Sequence, residues 1–139
     1  MIAKVLLAYD GSESAEYALA FAQDLAQRYG AQLHVLAVAR PPDVADDVET
    51  EAIVESGVRQ CRRWLDAAKH RLARAPIQIH YEVAVGHPAE QIVLYAERHG
   101  IDHIVVGHRG RTLFERWLIG SVARQVIAYA HCAVTVVRR

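Results

Sequence analysis

Five short apolar segments alternate with helical patterns along the chain. Their content of Val, Ile, Leu and Ala is typical of strands buried in a sheet, and they cover residues 1–9, 31–39, 77–85, 101–107 and 133–137. The third segment, IQIHYEVAV, alternates apolar and polar residues. This alternation predicts a strand with one face or one edge in water.

Four helices are predicted between these strands, because apolar residues there recur three and four positions apart. Ser12 is a good N-cap for the first helix, and Gly30 is suited to end it. The second helix is predicted at about 48–74, the third ends before Gly100, and the fourth runs from about 121 to 130. The order βαβαβαβαβ, without repeats or a linker, predicts a single α/β domain over residues 1–139. It also predicts a parallel sheet with helices on both faces.

Composition narrows the function classes. The chain has 16 Lys+Arg and 16 Asp+Glu residues, so its zero net charge favours neither nucleic acid nor an anionic membrane. No membrane span or signal peptide is apparent. Cys61 and Cys132 form no CxxC motif, which favours free thiols and a cytoplasmic location. The eight histidines are expected to be scattered at the surface or in packing. His99 and His103 are four apart, but Gly100 separates them, so no metal site is predicted.

The segment GHRGRTLFERWLIGS, residues 107–121, follows the fourth predicted strand. Glycine lets the main chain approach a ligand closely and adopt backbone angles that other residues avoid, which we expect of Gly107 and Gly110. Gly120 and Ser121 precede a helix whose first N–H groups favour a phosphate. The alternative is that these glycines serve only turns and a helix cap.

The spacing G-x2-G-x9-G-S, formed by Gly107, Gly110, Gly120 and Ser121, resembles the nucleotide-binding signature of the ATP-binding branch of the universal stress proteins. The resemblance covers the whole chain and includes VLLAYDGS at 5–12, GHPAEQI at 86–92, IVVGHRG at 104–110 and CAVTVVRR at 132–139. Two positions depart from the family pattern. His108 stands where a small or hydroxylic residue is usual, and Ala133 stands where proline is common.

The resemblance implies an open five-stranded sheet of order 3-2-1-4-5 and a bound ATP, with or without Mg²⁺. It places Asp10 near the ribose and the backbone of Val38 near the adenine. The glycines and the start of the fourth helix would hold the ribose and phosphates. The residues expected to bind the nucleotide are Ala8, Tyr9, Asp10, Val38, Val106, Gly107, His108, Arg109, Gly110, Gly120, Ser121 and Val122.

Several side chains have two interpretations. Asp10 either binds the ligand or caps the turn into the first helix. Arg109 and Arg111 either meet phosphates or form a solvated loop rim, which we favour for Arg111. Four apolar residues either cover the nucleotide or pack on a neighbouring helix: Leu113, Phe114, Trp117 and Leu118.

The function expected from these observations is that of a small cytoplasmic ATP-binding stress protein. It would act as a nucleotide-dependent sensor or partner-binding module, with little or no hydrolysis. The alternative is a slow ATP hydrolase or phosphotransferase of the same fold. The chain has no P-loop and no GxSxG motif, and its two lysines are Lys4 and Lys69. A receiver domain is disfavoured because Asp10 stands alone and no lysine follows the fifth strand. A dehydrogenase lacks its GxGxxG after the first strand.

The fifth strand, Ala133–Val137, would lie at a sheet edge in the implied order. Its run of β-branched residues presents unpaired N–H and C=O groups that invite pairing. The family resemblance points to a homodimer in which two such strands pair antiparallel across a two-fold axis. The alternative is a monomer whose edge is covered by its own loops, such as 41–49.

Overall fold

The computed structural model of the protein describes residues 1–42, 47–109 and 119–138. Gly110 and Arg111, and the four apolar residues that follow them in the same segment, lie outside the described residues, as do residues 43–46 of the 41–49 loop. In chain order the elements are β1 Lys4–Ala8, α1 Glu13–Tyr29, β2 Gln32–Ala39, α2 Asp47–Arg71, β3 Ile79–Val85, α3 Pro88–His99, β4 His103–Gly107, α4 Ser121–Tyr129 and β5 Ala133–Val137.

The five strands form one parallel sheet in the order β3-β2-β1-β4-β5, which confirms the implied topology. β1 is central, and its three middle residues, Val5, Leu6 and Leu7, are fully buried. This explains the apolar run from Val5 to Ala8, because side chains on both faces of a central strand are covered. β3 is an edge strand, and its side chains alternate between half-buried and exposed over most of its length, as its sequence pattern predicts.

The two faces of the sheet are covered by different helices. Alternate strand residues, such as Val5 and Leu7, pack with α1 and α2. The intervening residues, such as Leu6 and Ile104, pack with α3 and α4. This division follows from the two-residue repeat of a strand. Among the described residues, no helix combines the length and the apolar character needed to span a membrane.

The helix ends follow from local chemistry. Ser12 Oγ accepts a hydrogen bond from the N–H of Ala15 at 3.1 Å, as expected of an N-cap. Gly30 ends α1 in the left-handed conformation, with φ of 62°. The second helix ends at Arg71, three residues before the predicted end, because residues 72–74 form turns.

The expectation of scattered histidines is wrong in part. His80, His99 and Tyr95 lie around His34 on the α3 face of the sheet. They could not be grouped from the sequence, because β2, β3 and α3 meet only in the folded chain. The described residues contain no group of three or more side chains able to hold a metal ion.

Candidate functional site

A cavity of about 380 Å³ opens at the carboxyl edge of the sheet. It lies where β1 and β4 are neighbours and their following helices, α1 and α4, leave towards opposite faces. A crevice forms at such a switch point because the two connections diverge. This is where ligands of open parallel sheets commonly bind.

Eleven of the twelve residues expected to bind a nucleotide line this cavity, and the twelfth, Gly110, lies outside the described residues. The eleven are Ala8, Tyr9, Asp10, Val38, Val106, Gly107, His108, Arg109, Gly120, Ser121 and Val122. The cavity also has lining residues that sequence reasoning missed, namely Ala15, Leu36, Arg40, Trp64, Pro88, Ile92 and Ala123. Strand periodicity could have identified Leu36, which is two residues before Val38. No sequence signal brings Trp64 of α2 to this edge.

Asp10 has the structural role that the sequence left open. Its Oδ1 accepts a hydrogen bond from the N–H of Ser12 at 3.0 Å, so the carboxylate caps the turn into α1. The next residue, Gly11, has a φ of 74°, and a Cβ there would lie 2.6 Å from Cδ1 of Trp64. The turn therefore holds the Asp10 carboxylate and the Trp64 ring together at one side of the cavity.

Tyr9 does not offer its hydroxyl group to the cavity. That hydroxyl is hydrogen-bonded to Glu16, whose other carboxylate oxygen is 2.8 Å from Nη1 of Arg71. Burial and the neighbouring Glu16 raise the pKa of Tyr9 above its ordinary value, so the phenol stays protonated. The network joins the end of β1 to α1 and α2, and makes the position of Tyr9 a structural one.

The reason expected for Gly107 is wrong in one respect, because this residue does not have a positive φ. A Cβ added at Gly107 would lie 2.7 Å from Ser14 Oγ and 2.9 Å from the Ser14 carbonyl carbon. Glycine is needed here because the first turn of α1 crosses β4 at very close range. The close approach is made by the chain itself.

The backbone of His108 connects two elements of the fold. Its side chain is buried, its N–H donates to the Val137 carbonyl at 2.7 Å, and its own carbonyl accepts from the Gly120 N–H at 2.9 Å. Arg138 Nη2 lies 3.4 Å from its Nε2. Burial, together with Arg138 and Arg109, lowers the pKa of His108, so the ring is neutral near pH 7. His108 thus connects the end of β5 to the start of α4.

The N-terminus of α4 faces the cavity. Gly120 is the N-cap, with φ of −61° and ψ of 156°, and it has no side chain to accept a hydrogen bond from the first turn. Ser121, Val122 and Ala123 follow and line the cavity. The first N–H groups of a helix have no partner within it, so this end of α4 is suited to an anion.

The remaining walls divide into an apolar and a basic part. Strand residues such as Val38 and Val106 supply apolar surface, while Arg40 and Arg109 supply positive charge. The Arg109 N–H donates to Ser14 Oγ at 3.2 Å, which fixes the start of the loop. A ligand with a flat apolar part and an anionic part matches this arrangement.

Neither lysine lines the cavity. Lys4 begins β1 at the opposite edge of the sheet, where its Nζ donates to the His99 carbonyl at 3.2 Å. Lys69 lies over the ring of Tyr81, 5.1 Å from its centroid. The positive charges of the described part of the site are therefore guanidinium groups.

A second cleft, of about 590 Å³, lies between α3 and α4. It shares Arg40, Pro88, Ser121 and Val122 with the first cavity. The two spaces thus meet at the N-terminus of α4. A ligand that extends past this helix end has further room there.

Comparison with known proteins gives a consistent result. The model of the universal stress protein family matches residues 1–138. Universal stress protein YxiE of Bacillus subtilis is 31% identical, with 99% of this chain and 100% of the relative covered. A universal stress protein of Thermus aquaticus is 37% identical, with 99% and 100% covered. The structure of universal stress protein UspA from Lactobacillus plantarum matches with a TM-score of 0.87 and 28% identity, covering 97% of each chain.

Three more distant structures share the fold and contain adenine nucleotides. A universal stress protein in complex with cAMP has a TM-score of 0.72 and 21% identity, covering 97% of this chain and 96% of the other. A universal stress protein from Archaeoglobus fulgidus in complex with dAMP has a TM-score of 0.73 and 23% identity, covering 99% of this chain and 98% of the other. A family protein from Arabidopsis thaliana with AMP bound has a TM-score of 0.69 and 17% identity, covering 97% of this chain and 90% of the other.

Proposed function

This chain belongs to the universal stress protein family, and we propose that it binds an adenine nucleotide, specifically ATP, at the carboxyl edge of its sheet. It would act as a nucleotide-dependent sensor or partner-binding module in the cytoplasmic stress response. The observation that carries the proposal is the gathering of eleven expected residues around one cavity at the N-terminus of α4.

Each part of the nucleotide has a matching surface. The adenine would lie on the apolar wall near Val38, with the ribose beside Asp10. The phosphates would accept hydrogen bonds from the first N–H groups of α4, after Gly120, and meet the guanidinium of Arg109. The bound cAMP, dAMP and AMP of the distant family members support the adenine nucleotide class. The spacing G-x2-G-x9-G-S supports ATP within that class.

The protein would hold ATP rather than consume it. Phosphoryl transfer requires neutralisation of charge on the transferred group in the transition state. Lys4 and Lys69 both lie away from the cavity, and burial with Arg138 and Arg109 lowers the pKa of His108, so its ring supplies no positive charge near pH 7. With Mg²⁺ present, the metal would accompany the phosphates as part of the ligand.

We also propose that two copies pair through β5, which contacts β4 on one side and presents its other edge. Apolar side chains are exposed on a helix of each face of the sheet. Tyr17 and Phe21 of α1, which packs on β5, are 39% and 42% exposed. Ile127 of α4 is 48% exposed and lies on the side of the helix away from the α3 cleft. Antiparallel pairing of Ala133–Val137 would bury them.

The test of nucleotide binding is calorimetric titration of ATP into wild type and Gly120→Val. The φ and ψ of Gly120 are open to any residue, so valine should fold, but its side chain would project towards the helix N–H groups. Loss of one charge-assisted hydrogen bond should weaken binding about tenfold or more. Gly57→Ala, in α2 and outside the cavity lining, is the matched control and should bind as wild type.

A second measurement identifies the cellular ligand. Protein purified without added nucleotide is precipitated with acid, and the released small molecules are separated and identified. Recovery of ATP supports the proposal. Equal ATP affinities for wild type and folded Gly120→Val would contradict the assigned phosphate position.

A further inference from the structure

Three imidazoles and a phenol form a compact group on the α3 face, which we call the histidine cluster: His34, His80, Tyr95 and His99. The His34 ring is stacked on His80, with centroids 4.7 Å apart, and lies 5.8 Å from His99. Tyr95 and His99 are stacked at 3.8 Å. His34 is only 5% exposed.

The hydrogen bonding of the cluster suits a neutral His34. Its Nδ1 lies 2.7 Å from the Tyr95 hydroxyl, and its Nε2 is buried without a hydrogen-bond partner among the described residues. Burial and the nearby Glu82 raise the pKa of Tyr95 to about 12, so the phenol keeps its proton. A protonated His34 would donate from both ring nitrogens, and one donor would have no acceptor.

The charges around His34 act mainly against a proton. Lys4 of β1, His80 of β3 and His99 of α3 all face it, and Glu82 of β3 is the acidic group that acts on Tyr95. Burial, and after it the charges of His80, His99 and Lys4, together lower the pKa of His34 to about 4. In an unfolded or opened chain, imidazole titrates near 6.5. A pH between these two pKa values therefore favours states in which His34 leaves the cluster.

The cluster adjoins the wall of the candidate nucleotide site. His34 precedes Leu36 by two residues on β2, so both side chains project from the same face. Tyr95 follows Ile92 by three residues on α3, which places them on one side of the helix. Leu36 and Ile92 line the cavity. The bond between His34 and Tyr95 is thus the next link between β2 and α3 beyond that wall.

We propose that the histidine cluster couples acid pH to the nucleotide site: protonation of His34 leaves its buried Nε2–H without an acceptor and drives the ring out of the cluster, which separates α3 from β2 and weakens nucleotide binding. The inference rests on the proposed nucleotide-binding function. It adds a regulator, the proton, that acts through packing beside the site and needs no contact with the ligand.

The experiment compares ATP dissociation constants at pH 7.5 and 5.0 for wild type, His34→Gln and His70→Gln. Glutamine at 34 can accept from Tyr95 but cannot gain a proton. Protonation of the phosphates and of His108 is common to all three proteins and cancels in the comparison. Between pH 7.5 and 5.0, ATP binding to wild type and to the exposed-histidine control His70→Gln should weaken by a factor at least about five times larger than binding to His34→Gln. A factor of this size is usual for coupling between sites.

Equal pH dependence in wild type and His34→Gln would overturn the coupling. Nuclear magnetic resonance of nucleotide-free wild type gives an independent decision. The backbone amide signals of Leu36 and Ile92 should change in chemical shift as His34 is protonated between pH 6.5 and 4. Chemical shifts that do not follow this protonation would contradict the proposal. If ATP binds none of the proteins at pH 7.5, the proposed function fails, while these signals still decide whether the cluster moves the cavity wall.

Discussion

A single methyl group at Gly107 should destabilise the nucleotide-free protein. In Gly107→Ala the new Cβ would lie 2.7 Å from Ser14 Oγ, 2.9 Å from the Ser14 carbonyl carbon and 3.0 Å from its oxygen. The hydroxyl can rotate away, but the two backbone atoms belong to the first turn of α1. The helix must therefore move from β4, which also disturbs the bond between Ser14 and the Arg109 N–H.

The expected cost follows from the packing. Overfilling a close-packed contact typically costs about 1–3 kcal/mol of unfolding free energy. Because the new methyl group meets backbone atoms, we expect a loss of about 2 kcal/mol here. An unfolding entropy of about 2.1 cal/mol/K per residue converts this, for 139 residues, to a fall in Tm of about 7 °C. Thermal unfolding followed by circular dichroism without nucleotide measures it.

Two further variants isolate the cause. Gly57→Ala adds a methyl group within α2, where the nearest atom is the Ala39 Cβ at 3.4 Å. It should keep or raise Tm, because alanine favours helices over glycine by about 0.5–1 kcal/mol. Ser14→Ala combined with Gly107→Ala should recover little, because the backbone contacts remain. An unchanged Tm for Gly107→Ala with lost ATP affinity would refute the packing explanation and assign this glycine to the ligand.

Two predictions concern assembly and chemistry. Val136→Pro should be a folded monomer by light scattering while Val136→Thr stays dimeric. The Val137 carbonyl points towards β4. Because successive residues of a strand point to opposite sides, the N–H of Val136 points to the open edge, and proline there removes a hydrogen-bond donor. A wild type that is monomeric at micromolar concentration would contradict the β5 pairing proposal. ATP turnover should be far below about 10 per second, the median for enzymes, because neither lysine lines the site; a rate near that value, measured by phosphate release, would favour a hydrolase or phosphotransferase.

The fold was accessible from the sequence because its signals are local. The apolar run of β1, the alternation in β3 and the caps Ser12 and Gly30 each act within a few residues, and each is confirmed. The strand order came from a family resemblance, since periodicity identifies strands but does not pair them. Likewise, the loop glycines and the start of α4 could be proposed as a site because they are close in sequence.

The tertiary structure decided what depends on contacts between distant segments. Trp64 reaches the cavity, Gly107 makes room for Ser14, and His108 joins β5 to α4 only because the sheet brings these elements together. The same is true of His34 and Tyr95, 61 residues apart. A residue's type and local pattern determine whether it lies in a helix, a strand or a turn. Its neighbour across the sheet, and so its chemistry, is fixed by which strands and helices pack together.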